Sequence, residues 1–181
     1  MNAEELMRRY EAGERDFSIA DLSQASLEGV NLSGAVLHGA MLDRANLRGA
    51  NLSQAVLSGA TLKGADLREA DLREADLSDA VLDEARLTGA NLEGAILDQA
   101  DLTSANLEGA DLTGADLSEA EMYAADLTGA ELDYANLQQA NLTKAELDKT
   151  NLKGANLEDA NLKDAILDEA IVEGTILEGS L

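Results

Sequence analysis

Leucine occupies every fifth position from Leu22 to Leu177, broken only by Met122 and Val172, with no residue inserted or lost along the way. On an α-helix five residues advance about 500°, so successive leucines step by about 140° and no apolar stripe forms. On a straight strand side chains alternate, and an odd spacing sends consecutive leucines to opposite faces. All of them can point inward only if the chain turns once per unit, so that each five residues make one short side of a coil. Stacked coils then hydrogen-bond at strand spacing, roughly 4.8 Å per layer, and each touches only its neighbours, which defines a solenoid.

The register can be read around the leucine, position i. Position i−2 is Ala at 29 of the 32 sites between Ala20 and Thr175, the exceptions being Val30, Thr150 and Thr175. Position i−1 is Asn or Asp at 18 of 32 sites, and i+1 and i+2 are mostly polar or glycine. Leucine is expected to fill the axis and alanine the tighter inward position. Short Asn and Asp side chains suit a turn, where they hydrogen-bond to nearby backbone. Within the repeats glycine falls only at i+2, as in Gly29, Gly34, Gly64, Gly114 and Gly154, where a positive φ costs it nothing.

The tandem units Ala50-Asn51-Leu52, Ala65-Asp66-Leu67, Ala110-Asp111-Leu112 and Ala160-Asn161-Leu162 resemble the pentapeptide repeat family over residues 15–181. The resemblance implies an all-β fold, a right-handed quadrilateral β-helix with four units per coil. It follows that about eight coils would form a rod roughly 38 Å long. The residues alone leave the number of sides open. A 20-residue coil aligns the outward apolar residues Val36, Val56, Ile96 and Ile176, and a 15-residue coil aligns Val36, Val81, Ile96 and Ile171 equally well.

Residues 1–14 stand outside the repeat. Ala3 to Ala12 reads as a short amphipathic helix with Leu6, Met7 and Tyr10 on one side, acids early, arginines late and Gly13 as terminator. It is expected to cap the first coil, because an uncovered sheet edge invites association. Phe17 then plugs the first leucine position. The opposite end shows no cap: Ile166, Ile171 and Ile176 replace Asn or Asp at three consecutive outward positions, followed by Leu177 and Leu181. Two readings stand side by side, a homodimer joined through this C-terminal coil, a mode known in the resembled family, or a last turn covered by its own tail.

No catalytic residue, cofactor site or metal site is expected. Cysteine is absent, and the single histidine, His38, sits at an outward i+1 position with nothing to make it a general base. The glycines keep the period of five and resemble no phosphate-binding loop. The N-terminus has no apolar segment of a leader type and no stretch is long enough to span a bilayer, so a cytoplasmic location without membrane contact is expected.

Net charge is −23. Between Arg86 and Lys144 there is no Lys or Arg, and Asp101, Asp111, Asp116, Glu121 and Asp126 fall in this acidic girdle. Such a field opposes direct nucleic-acid binding. The resemblance offers one sharp possibility, a rod that mimics DNA and binds DNA gyrase. The same charge also keeps a rod soluble and discourages edge association. The other candidate surface is an apolar stripe of Val36, Met41, Val56, Val81 and Ile96 at positions elsewhere polar, with Thr61 among them, which four sides would bring onto two adjacent faces. A basic group, Arg44, Arg48, Lys63, Arg68, Arg73 and Arg86, lies in the same half. The leading expectation is therefore a non-enzymatic scaffold or regulatory protein whose partner is another protein.

Overall fold

The computed structural model describes residues 1–179. Its one helix, α1, spans Ala3–Glu11. From Asp16 to Ile171 single bridged residues alternate with two-residue turns. The bridges are all parallel and join residues 20 apart, as in Asp16↔Val36 and Val36↔Val56. Four five-residue units thus complete one coil. This resolves the ambiguity between 15 and 20 that the apolar residues left open. Four ladders result: A through Asp16, Val36, Val56, Asp76, Ile96 and Asp116; B through Asp21, Met41, Thr61, Val81, Asp101 and Glu121; C through Asp66, Arg86, Asn106, Asp126 and Ile166; D through Asp71, Asn91, Asp111, Glu131 and Ile171. The bonding is that of parallel β-structure, yet no extended strand forms among the described residues, because a turn in every unit leaves too little straight chain between corners.

The hydrogen bonds of one unit explain the repeat. Leu37 N–H donates to Val56 O at 2.7 Å, Gly39 N–H to Ser58 O at 3.0 Å, and Val56 N–H to Ala35 O at 2.9 Å, all along the rod axis. Ala40 N–H closes the turn on Leu37 O at 3.0 Å. Only the i+1 N–H lacks a backbone partner, and Asn or Asp at i−1 supplies one: Ser53 N–H donates to Asn51 Oδ1 at 3.0 Å and Thr113 N–H to Asp111 Oδ1 at 3.0 Å. A buried or half-buried backbone needs this full accounting, which is why Asn and Asp dominate the position.

Leucines from Leu22 to Leu157 and alanines from Ala35 to Ala145 are buried, and Met122 takes its place among them. The inward Thr150 is buried as well and donates its hydroxyl to Leu127 O at 2.8 Å. At the corners a positive φ is not confined to glycine. Every i+2 residue from Ile19 to Gly179 has positive φ, including 19 that are not glycine. The turn that each inward N–H closes on the preceding leucine carbonyl, as Ala40 N–H does on Leu37 O and Ala170 N–H on Leu167 O, places i+2 in the left-handed region whatever the side chain, at a cost of about 1–2 kcal/mol for an ordinary L-residue.

α1 closes the first coil. Asn2 caps the helix through Glu5 N–H, Leu6 is buried on the core, Tyr10 donates its hydroxyl to Ser33 O at 2.8 Å, and the Met1 ammonium donates to Asp21 O at 2.9 Å. Two carbonyls of the first coil are thereby satisfied. At the other end Leu162, Leu167, Val172 and Leu177, the inward residues of the last coil, are only partly buried. Leu181 lies outside the described residues.

Candidate interaction surfaces

The stripe lies on two neighbouring ladders. Val36, Val56 and Ile96 stand on A with Asp76 between the last two, and Met41, Thr61 and Val81 stand on B. Met41 and Ile96 are more than 40% exposed, at 42% and 43%, and Val36, Val56 and Val81 are half-buried. None of these side chains can accept the i+1 N–H as Asn or Asp does, so each gives up a bond that contributes about 0.5–1.5 kcal/mol. At Thr61 the loss is made good from the coil below, where Asp43 Oδ1 accepts from Lys63 N–H at 3.1 Å.

The basic group is largely occupied by its own neighbours. Arg48 pairs with Glu69 at 2.8 Å, Lys63 with Asp83 at 2.5 Å, Arg68 with Asp66 at 2.5 Å and Arg73 with Asp71 at 2.6 Å. The Arg68 guanidinium, bonded to Asp66, holds that carboxyl below its ordinary range, and Arg73 does the same to Asp71. Arg86 also reaches Asp66, at 3.5 Å. These residues sit on ladders B, C and D. Ladder A carries no Lys or Arg at any outward position from Asp16 to Gly179.

The acidic residues surround the rod instead of gathering on one side. Asp111 is on D, Asp116 on A, Glu121 on B and Asp126 on C, one full circuit, with Asp101 directly beside Glu121 on B. Each aspartate also has a structural task, accepting from Thr103, Thr113, Ser118 or Thr128 N–H. Glu121 accepts from Asn141 Nδ2 at 2.8 Å. Tyr123 and Tyr134 fall on opposite ladders, B and D, and Lys144 at the edge of the girdle lies over the Tyr123 ring and bonds its hydroxyl at 3.1 Å.

At the C-terminal coil Ile166, Ile171 and Ile176 are 46%, 50% and 66% exposed. Beside them the Leu157, Leu167 and Glu169 N–H groups, whose equivalents elsewhere donate to the next coil, have no acceptor among the described residues. This end offers apolar side chains and an unpaired edge together.

His38 Nδ1 lies 3.0 Å from Ser58 Oγ on an exposed corner, with no third group to orient the ring. No cluster of His, Asp or Glu among the described residues is placed to hold a metal ion, and no helix of theirs is long and apolar enough to cross a membrane. One residue escaped sequence reasoning. Ile19, at a corner beside the stripe, is 76% exposed; the available signal was that it is the only β-branched residue at any i+2 position.

Eight copies of the pentapeptide repeats family model match the chain, within residues 16–54, 42–79, 50–89, 80–119, 120–159 and 145–181. No curated protein matches it in sequence. Among solved structures, HetL, a pentapeptide repeat protein involved in heterocyst differentiation regulation from the cyanobacterium Nostoc sp. strain PCC 7120, is 35% identical, with 97% of each chain covered and a TM-score of 0.43. A trypsin-treated form of QnrB1, a plasmid-mediated fluoroquinolone resistance protein, is 21% identical over 88% of this chain and 89% of its own, with a TM-score of 0.64. A pentapeptide repeat protein from the Arabidopsis thaliana thylakoid lumen is 35% identical over 61% of this chain and 70% of its own, at a TM-score of 0.34.

Proposed function

Because the chain belongs to the pentapeptide repeat family, we propose that it is a non-enzymatic scaffold or regulatory binding protein, a rod of about eight coils that engages another protein through its side. The observation that carries this reading is the apolar stripe. Val36, Met41, Val56, Val81 and Ile96 occupy the one outward position where Asn or Asp would complete the turn. A loss repeated on two adjacent ladders calls for a return, and an apolar contact with a partner supplies it. The test is a pulldown from the native host with the double variant Val36→Asp plus Val56→Asp. Aspartate is native at this position in many units, so the variant keeps the fold and restores two turn acceptors. Loss of a partner that wild type retains is the expected outcome, and every partner remaining bound would sink the stripe.

The base-free girdle favours a second reading, a DNA mimic that binds and protects or inhibits DNA gyrase. Carboxylates on all four ladders give the rod negative charge all round, as on a duplex. On this reading, converting Asp111, Asp116 and Asp126 to Asn and Glu121 to Gln removes four charges while leaving acceptor oxygens for the turn bonds. Gyrase binding should then fall at least tenfold and lose its steep salt dependence. If the wild-type protein leaves supercoiling untouched and gives no drug protection at micromolar concentration, the mimic is eliminated.

The exposed C-terminal coil supports an assembly of two copies through Ile166, Ile171, Ile176, Leu177 and Leu181.

A further inference from the structure

Ile19 is anomalous twice. It is a β-branched residue held at φ +54°, a conformation such side chains rarely accept, and it is 76% exposed. Its Cγ2 stands 3.5 Å from where a Cβ would lie on Gly39. The next corners up the same edge are Gly39 and Gly59, bare of side chain, so Ile19 ends a smooth strip bordered by Val36 and Val56. The free chain gains little apolar contact for this arrangement, and strain that persists without local return points to a use.

We propose that ladder A, from Ile19 to Ile96, receives an amphipathic helix of a partner protein whose apolar stripe is flanked by lysine or arginine. This rests on the reading of the stripe as a docking surface and adds what docks there. Three observations select the occupant. The backbone bonds of the sides all run along the axis from coil to coil, so an extended segment laid on a side finds no ladder to join, whereas a helix satisfies its own backbone. The spacing fits as well. Five rungs separated by about 4.8 Å span roughly 19 Å, the length of about 13 helical residues, and a helical repeat of about 5.4 Å slips by only about half a rung over that distance. Charge selects the flanks: Asp16, Asp76, Asp79 and Asp98 border the strip, the nearest bases are engaged elsewhere, Arg15 over the Tyr10 ring and Arg73 with Asp71, and Asp76 interrupts the stripe between Val56 and Ile96. A basic residue near the middle of the partner helix would meet it.

The probe is a synthetic helical peptide of about 16 residues with leucines on one stripe and lysines on both flanks, read by fluorescence anisotropy against the full chain. Two control peptides carry glutamate flanks or a scrambled stripe. The lysine-flanked peptide should bind at least about tenfold tighter than either control. Ile19→Gly should weaken it at least about fivefold and yet raise the unfolding midpoint, since glycine accepts the positive φ; a purely structural residue would not split the two readouts in this way. Equal binding of the scrambled peptide would reduce the effect to general attraction by an acidic rod and overturn the proposal. Unchanged affinity on Ile19→Gly overturns the anchor. If the glutamate-flanked peptide binds as well while Val36→Asp plus Val56→Asp abolishes both, the stripe docks but the partner chemistry is wrong. If that double variant changes nothing, the docking reading falls too. A dimer dissociated by Val56→Asp would make a second copy the occupant and overturn the helix.

Discussion

Leu107→Ala lowers the thermal unfolding midpoint by about 10 °C in a circular-dichroism scan, from a loss of roughly 3–4 kcal/mol for a fully buried leucine in a chain of this size. Leu107 has no exposed surface, and its N–H is bonded to Asp126 O at 2.7 Å. The coils above and below are tied to it by axial bonds on every side, so the lining cannot collapse into the space and the cavity persists. The contrast lies at the end of the rod. Leu162 is already partly exposed, and Leu162→Ala should cost about 1 kcal/mol or less. Equal shifts at the two sites would mean that the interior does not distinguish a middle coil from a terminal one, contrary to the burial described.

With two copies paired through the C-terminal coil as proposed, the expected light-scattering result is a dimer for the wild type at micromolar concentration and a monomer for Ile171→Lys. In a paired assembly the side chain at 171 is enclosed, and an unpaired ammonium there costs roughly 3–5 kcal/mol, about two to four orders of magnitude in the association constant. The open edge of the last coil offers donors at Leu157 and Leu167 and acceptors such as Ala165 O, so two such edges can pair around a twofold axis. Head-to-tail growth is blocked, because α1, Tyr10 and the Met1 ammonium already occupy the first coil. Ile171→Asp separates burial from charge. If enclosure matters, both variants dissociate the dimer; if only electrostatics act, near acids such as Glu173 one sign dissociates it and the other does not. A wild type that is monomeric at all concentrations removes the assembly.

The inward pattern was legible because it depends on one local rule: with a turn in every unit, leucine and alanine can only point to the axis. The Asn and Asp preference was legible for the same reason, as the acceptor and the N–H it serves lie two residues apart. The length of a coil was not, since it is set by which N–H meets which carbonyl 20 residues away, and apolar departures as sparse as Val36 and Ile96 fit two periods. The positive φ at non-glycine corners was missed because local preference favours glycine there while the turn closed in every unit overrides it. Ile19 was missed with them. The five girdle residues were readable as a charge run, but their spread over four ladders required the coil length first.

Four units to a coil make five residues equivalent to a rotation. Deleting or duplicating 20 residues leaves every downstream side chain on its own ladder. Deleting or duplicating a single unit leaves leucine and alanine in the axis as before, yet carries everything beyond it about a quarter turn around the rod. Small, core-neutral insertions and deletions can therefore re-aim one end of this molecule against the other, setting the direction in which the stripe faces relative to the C-terminal coil without altering a residue of either.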